Sequence, residues 1–136
     1  MLRTGIEAYR EVQKKTMSGR ELEASVLIKA AHKLKHCKDN WDSQDLQERL
    51  DEALKYNQRL WSFFQAELSR PDNPLPKKLR EDLLSLSIFI DKRIFEIMVS
   101  PSPEKLDILI NINLNIAAGL STNRAVPHEA EQSNPA

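Results

Sequence analysis

Ile110-Asn-Ile-Asn-Leu-Asn-Ile116 is the stretch on which the fold of this chain turns. Its apolar residues alternate strictly with asparagine, which is the period of a half-buried strand. Read with its flanks, the same stretch takes helical period. Leu106, Leu109, Ile110, Asn113, Ile116, Ala117 and Leu120 then share one face. Ser102-Pro103 is a start signal, with proline at the first helical position. Ala117-Ala-Gly119 reads as an ending. No other segment reads as a partner strand, and a lone strand leaves its backbone groups unpaired. The stretch is therefore expected to be a helix over 103–120, and the chain all-α.

Working outward, the other segments agree. Leu46, Leu50, Ala53, Leu54, Leu60, Trp61, Phe64 and Leu68 form one apolar face, which predicts a helix over 44–69 capped by Asp42 or Ser43. Pro71-Asp-Asn-Pro-Leu-Pro76 ends it, because proline disfavours helix both at its own position and at the residue before. Pro76 then opens a helix over 77–99. Leu79, Leu83, Leu84, Leu86, Ile88, Phe89, Ile90, Ile94, Phe95, Ile97 and Met98 fill more than one stripe of that helix, so a second apolar face is expected on it. Upstream, Ser18-Gly-Arg-Glu21 is a capping box for a helix over 19–38, with Leu22, Val26, Leu27, Ala30, Ala31 and Leu34 at helical period. Ile6, Tyr9 and Val12 predict a short first helix over 5–16, which needs packing to persist. The expectation is a single bundle of about five helices over 1–120, with a small, polar, disordered tail over 121–136.

Composition supports this reading and narrows function. The 136 residues carry 20 Lys+Arg against 20 Asp+Glu, which excludes a generic polyanion binder. The zero is a cancellation, because residues 1–40 lean basic and 41–76 lean acidic. Only 3 glycines are present, too few for many tight turns. A single cysteine, Cys37, excludes an internal disulfide and fits a reducing compartment. Neither a secretory signal nor a membrane span is expected, since charges interrupt the N-terminal segment and asparagines the longest uncharged one.

No catalytic set emerges: the chain has no phosphate-cradling glycine loop, nucleophile elbow or convergent acid–base pair. His32 and His36 sit at i,i+4 beside Cys37, but a structural metal site needs further ligands, and the neighbouring lysines repel a cation. No cofactor is expected. Lys29, Lys33, Lys35 and Lys38 make a basic helix face that could hold RNA, but no aromatics are interleaved for base stacking. A solvated face is the simpler reading. The aromatic cluster Trp61, Phe63 and Phe64 is more informative. Trp61 and Phe64 belong to the core stripe, while Phe63 points away and suits a partner surface. Asn57 interrupts the same stripe and must find hydrogen bonds.

An ordered series of short patterns runs along the chain: Ala8-Tyr9, Arg20-Glu-Leu-Glu-Ala24, Ala30-Ala31…Leu34, Ala53-Leu54…Asn57-Gln-Arg-Leu-Trp61, Asn73…Leu75-Pro76…Leu79-Arg80, Leu84-Ser-Leu-Ser87 and Ile112-Asn113…Ile116…Gly119-Leu120. With this series, over about residues 8 to 120, the chain resembles the FlaF family of alphaproteobacterial flagellar biosynthesis regulators. The resemblance implies a non-enzymatic cytoplasmic protein that acts on flagellin as a secretion chaperone and works alongside the post-transcriptional regulator FlbT. It also leaves open direct action on flagellin mRNA. The residues expected to serve the partner surface are Asn57, Leu60, Trp61, Phe63 and Phe64 on one helix and Leu86, Phe89 and Ile90 on the next. Asn73, Leu75 and Pro76 are expected to set the angle between those helices, and Asn113 with Gly119 to close the last helix against them. A homodimer would use the same apolar surface.

Overall fold

The computed structural model describes residues 19–125, with side chains to residue 121. Among the described residues the chain is all-helical, with four α-helices and no strand. They are α1 (Gly19–Asp39), α2 (Leu46–Leu68), α3 (Lys77–Val99) and α4 (Leu106–Ala125), with a 3-10 turn over Pro103–Lys105 before α4. The short helix expected over 5–16 and the Ser18 half of the capping box lie outside the described residues.

Each boundary has a local cause. At the end of α1 the Asn40 backbone N–H donates to His36 O and Cys37 O, and its side-chain amide donates to His36 O at 2.8 Å. The cap expected from Asp42 or Ser43 is not formed. Asp45 occupies the N-cap position of α2 without a side-chain cap bond. Its carboxylate instead takes the Ser43 hydroxyl and the Arg49 guanidinium, which hold it below the usual carboxylate range. Pro76 is the N-cap of α3, one residue before its expected place, with the extended ψ of 146° that a preceding loop needs. After α3, Ser102 has extended backbone and no side-chain cap bond, so the Ser-Pro signal begins a 3-10 turn and the α-helix starts at Leu106.

The ambiguous asparagine stretch is helical. Leu106, Leu109, Ile110, Asn113 and Ala117 are buried, whereas Leu114, which strand alternation would have placed with Ile110, is exposed. The helix does not end at Ala117-Ala-Gly119. It runs on to Ala125, and Gly119 sits inside it, exposed, with no positive φ. A methyl group there would meet nothing within 4 Å. Gly119→Ala is therefore expected to stabilise the fold by about 0.5–1 kcal/mol through a less disordered unfolded chain, read as a raised urea midpoint.

The core lies between α1, α2 and α4. Ala30 and Ala31, fully buried at 0% exposure, keep the α1 surface low so that its neighbours approach closely. α1 packs most extensively on α4 and next on α2. The pair runs antiparallel, since Lys38 at the end of α1 reaches Asp107 at the start of α4 at 2.5 Å. α3 packs mainly on α2, through Ser87, Ile90, Ile94 and Ile97, and touches α4 only slightly. It is the outer helix, which leaves its second face uncovered. Among the described residues no helix is long and apolar enough to cross a membrane.

Candidate functional site: a buried amide relay beneath two apolar surfaces

The polar residues that interrupt the apolar stripes meet inside the bundle. Trp61 carries only a donor, its indole N–H, which donates to Asn113 Oδ1 at 2.9 Å. That contact fixes the Asn113 amide, whose nitrogen then donates to Asn57 Oδ1 at 2.6 Å. The Asn57 nitrogen in turn donates to Ala53 O at 2.9 Å and Ala30 O at 3.3 Å. The relay joins α2, α4 and α1, and all three side chains are 1% exposed. Asn57 and Asn113 therefore touch no partner directly, and neither does Ile90, which is also interior. They act by fixing what lies above them. Trp61, held by its N–H, stands edge-on to Phe64 with ring centroids 5.3 Å apart, and Phe64 in turn lies 6.0 Å from Phe63.

Trp61 and Phe64 form one wall of a groove of about 450 Å³. Leu27, Leu68, Leu75, Leu83, Ile116 and Leu120 supply the rest of its apolar lining. Asn73 shapes the rim. Its side-chain nitrogen donates to Glu67 O at 2.9 Å, and its oxygen accepts from the Leu75 N–H at 3.0 Å, which ties the proline-rich loop back onto the end of α2. Pro76 is exposed beyond it. Arg20, Glu23 and Glu67 are the charged lining residues. Burial pushes the Glu23 carboxyl up; Arg20 opposes the shift and the Glu67 carboxylate adds to it.

A second apolar surface covers the outside of α3. Ile88, Phe95 and Val99 recur on the face opposite Ile90, Ile94 and Ile97. Phe95 and Val99 are 67% and 68% exposed, with Met98 and Phe89 beside them at 41% and 40%. The Arg93 guanidinium covers part of the Phe89 ring at 5.8 Å. On α2, Phe63 is 55% exposed.

The structure thus divides the expected partner residues. Trp61, Phe64, Asn73 and Leu75 line the groove; Phe63 and Phe89 are on the exterior; Leu60 and Leu86 are half-buried against the core. Gly119 closes nothing. Sequence reasoning did not single out Ile88, Phe95, Met98 and Val99 as site residues, although their signal was present as the second stripe. Leu27, Leu83 and Ile116 were missed as groove walls because each reads as ordinary core.

The lysine face is occupied locally. Lys33 pairs with Glu52 at 3.4 Å, Lys35 with Asp39 at 3.2 Å and Lys38 with Asp107. Lys29 and Lys33 also lie over the Tyr56 ring at 5.7 and 5.2 Å. Such pairs add little stability, but they cancel the field that a phosphate backbone would seek. Cys37 is buried, and burial pushes its thiol up, away from the reactive thiolate. Among the described residues no three His, Cys, Asp or Glu side chains are grouped to hold a metal ion.

Comparison with curated proteins and with solved structures finds no match. The family model described as flagellar protein FlaF matches residues 5–120, a span that takes in all four helices up to Leu120, the amide relay and both apolar surfaces. The chain belongs to the FlaF family of flagellar proteins.

Proposed function

We propose that this chain is a cytoplasmic, non-enzymatic flagellin-binding chaperone that keeps flagellin competent for export and supports its supply. The observation that carries the reading is the uncovered apolar face of α3, where Ile88, Phe95, Met98 and Val99 lie open on a helix already buried on its other side. Exposed apolar side chains grouped on one element mark interaction surfaces. Flagellin termini are amphipathic, and their apolar face is the complementary surface in helix-against-helix recognition. Phe63 and Phe89 extend the set of exposed aromatics. Membership of a flagellar family supplies the partner class. The neutralised lysine face argues against direct RNA binding, so any effect on flagellin synthesis would run through a protein such as FlbT.

Co-expression with flagellin, followed by size-exclusion chromatography with light scattering, tests this. The expected result is co-elution of the two chains, lost in Phe89→Asp and weakened in Phe63→Ala while the helical circular dichroism is kept. Wild-type chain that elutes without flagellin overturns the function. Unchanged co-elution of both folded variants overturns the surface.

A further inference from the structure

The α1–α2 pair carries an open surface that the α3 face does not include. Lys33 meets Glu52, Lys29 and Lys33 both lie over the Tyr56 ring, and the Ala30 carbonyl accepts from Asn57. These contacts fix an antiparallel register. Continued along both helices, it brings Leu22 level with Phe63 to within about one turn. Leu22 and Phe63 are 53% and 55% exposed, and Val26 and Leu60, one turn away on each helix, are half-buried. Phe63 faces away from α3, because Gln65, which bonds Asp91 of α3 at 3.0 Å, is two residues on and so about 200° around the helix. We propose that this shoulder is a second docking surface for the partner that covers α3. It takes an amphipathic helix whose apolar face meets Leu22 and Phe63 and whose flanking carboxylates meet Lys29 and Arg59. The inference rests on the flagellin reading above and assigns a second contact to it.

Shape and charge choose this occupant. Two neighbouring antiparallel helices leave a furrow along their seam, which a third helix fills by packing its ridges into it. Arg59 lies on the same side of α2 as Tyr56 and Phe63, three residues after one and four before the other. Lys29 lies level with Tyr56 on α1. Both cations are exposed, and among the described residues neither is paired with a carboxylate, whereas Lys33 is held by Glu52. Two isolated cations do not draw a polyanion, but each can pair with one carboxylate at the rim of an apolar contact. An anionic bilayer would meet Glu52 at one end of the shoulder and Glu67 at the other, so a helix is the better fit.

Titration of the full chain with purified flagellin, at low and at high salt, tests the surface. Phe63→Ala is expected to weaken binding about tenfold at both salts, as loss of an aromatic anchor does. The pair Lys29→Glu and Arg59→Glu is expected to weaken it at least about tenfold at low salt and less at high salt, because exposed charge pairs are screened. Lys35→Glu with Lys105→Glu makes the same change in net charge away from the shoulder and is expected to stay within about twofold of the parent. Helical circular dichroism checks that each variant is folded. Parent chain that does not bind flagellin overturns the function proposed above, and with it the partner assigned here. Parent binding that Phe63→Ala and the Lys29/Arg59 pair leave unchanged overturns this surface alone. An equal loss in the Lys35/Lys105 control overturns the carboxylate pairing. The Leu22 methyl signals are expected to shift when flagellin is added. A shift with phosphatidylglycerol vesicles and none with flagellin overturns the proposal in favour of a membrane.

Discussion

Asn113→Leu is expected to lower the unfolding free energy by about 2–5 kcal/mol in a urea titration followed by tryptophan fluorescence. Leucine fills similar space but breaks the relay at its centre. The Trp61 indole N–H loses its acceptor and Asn57 Oδ1 loses its donor, both at sites with about 1% exposure. Each stranded buried group costs about 1–3 kcal/mol. Asn57→Leu strands only the Asn113 nitrogen, and the Ala53 carbonyl keeps its helical partner, so its cost should be the smaller. The double variant removes donor and acceptor of the 2.6 Å bond together and is expected to cost less than the sum by at least about 1 kcal/mol. A single-variant cost below about 1 kcal/mol, or strict additivity, would mean that the indole and the two amides do not act as a unit. Against a typical domain stability of about 5–15 kcal/mol the expected loss is large.

The same relay marks how far the sequence could be read. Asn57 stood out because one polar residue broke an apolar stripe, and the demand for a partner followed from burial alone. Its partner, Asn113, sat among two other asparagines of the strand-like stretch, and periodicity placed it on the buried face. That Asn57 and Asn113 bond each other, with Trp61 as the end donor, depends on the packing of α2 against α4, which no local pattern encodes. Helix positions were legible for a similar reason. Apolar period and proline breaks act within a few residues. Ends were less legible, because several caps compete for the same backbone groups. Asp45 was drawn away from capping by Ser43 and Arg49, and Gly119, an apparent terminator, lies inside α4, which runs on to Ala125.

The groove shows the opposite limit. Its walls are assembled from all four helices and the proline-rich loop, and each contributing leucine or isoleucine looks like core when read alone. The α3 surface was legible as an excess of apolar residues, yet which stripe would face inward was not. Ser87 settles it in the structure. Its hydroxyl can share the inner face with Ile90, Ile94 and Ile97 because it donates to Leu84 O at 2.6 Å, and Ile88, Phe95 and Val99 are left outward.

That division gives the second large effect, measured on one helix. Ile90→Ala removes a side chain 1% exposed and is expected to cost about 2–5 kcal/mol, the lost transfer energy plus the cavity left behind. Phe95→Asp, five residues on, changes a ring that is 67% exposed and should cost no more than about 0.5 kcal/mol, mostly through helix propensity. On flagellin capture the order should reverse. Removing a central aromatic anchor from an interface typically costs about 2 kcal/mol or more, and at about 1.4 kcal/mol per tenfold that is a loss of roughly 30-fold in affinity. Ile90→Ala, measured where it is still folded, should bind within a few-fold of the parent. A Phe95→Asp chain as unstable as Ile90→Ala would mean that the outer face of α3 is covered within the molecule. A stable Phe95→Asp chain with undiminished capture would remove α3 from the flagellin interface while leaving the bundle, and the relay that holds it, as described.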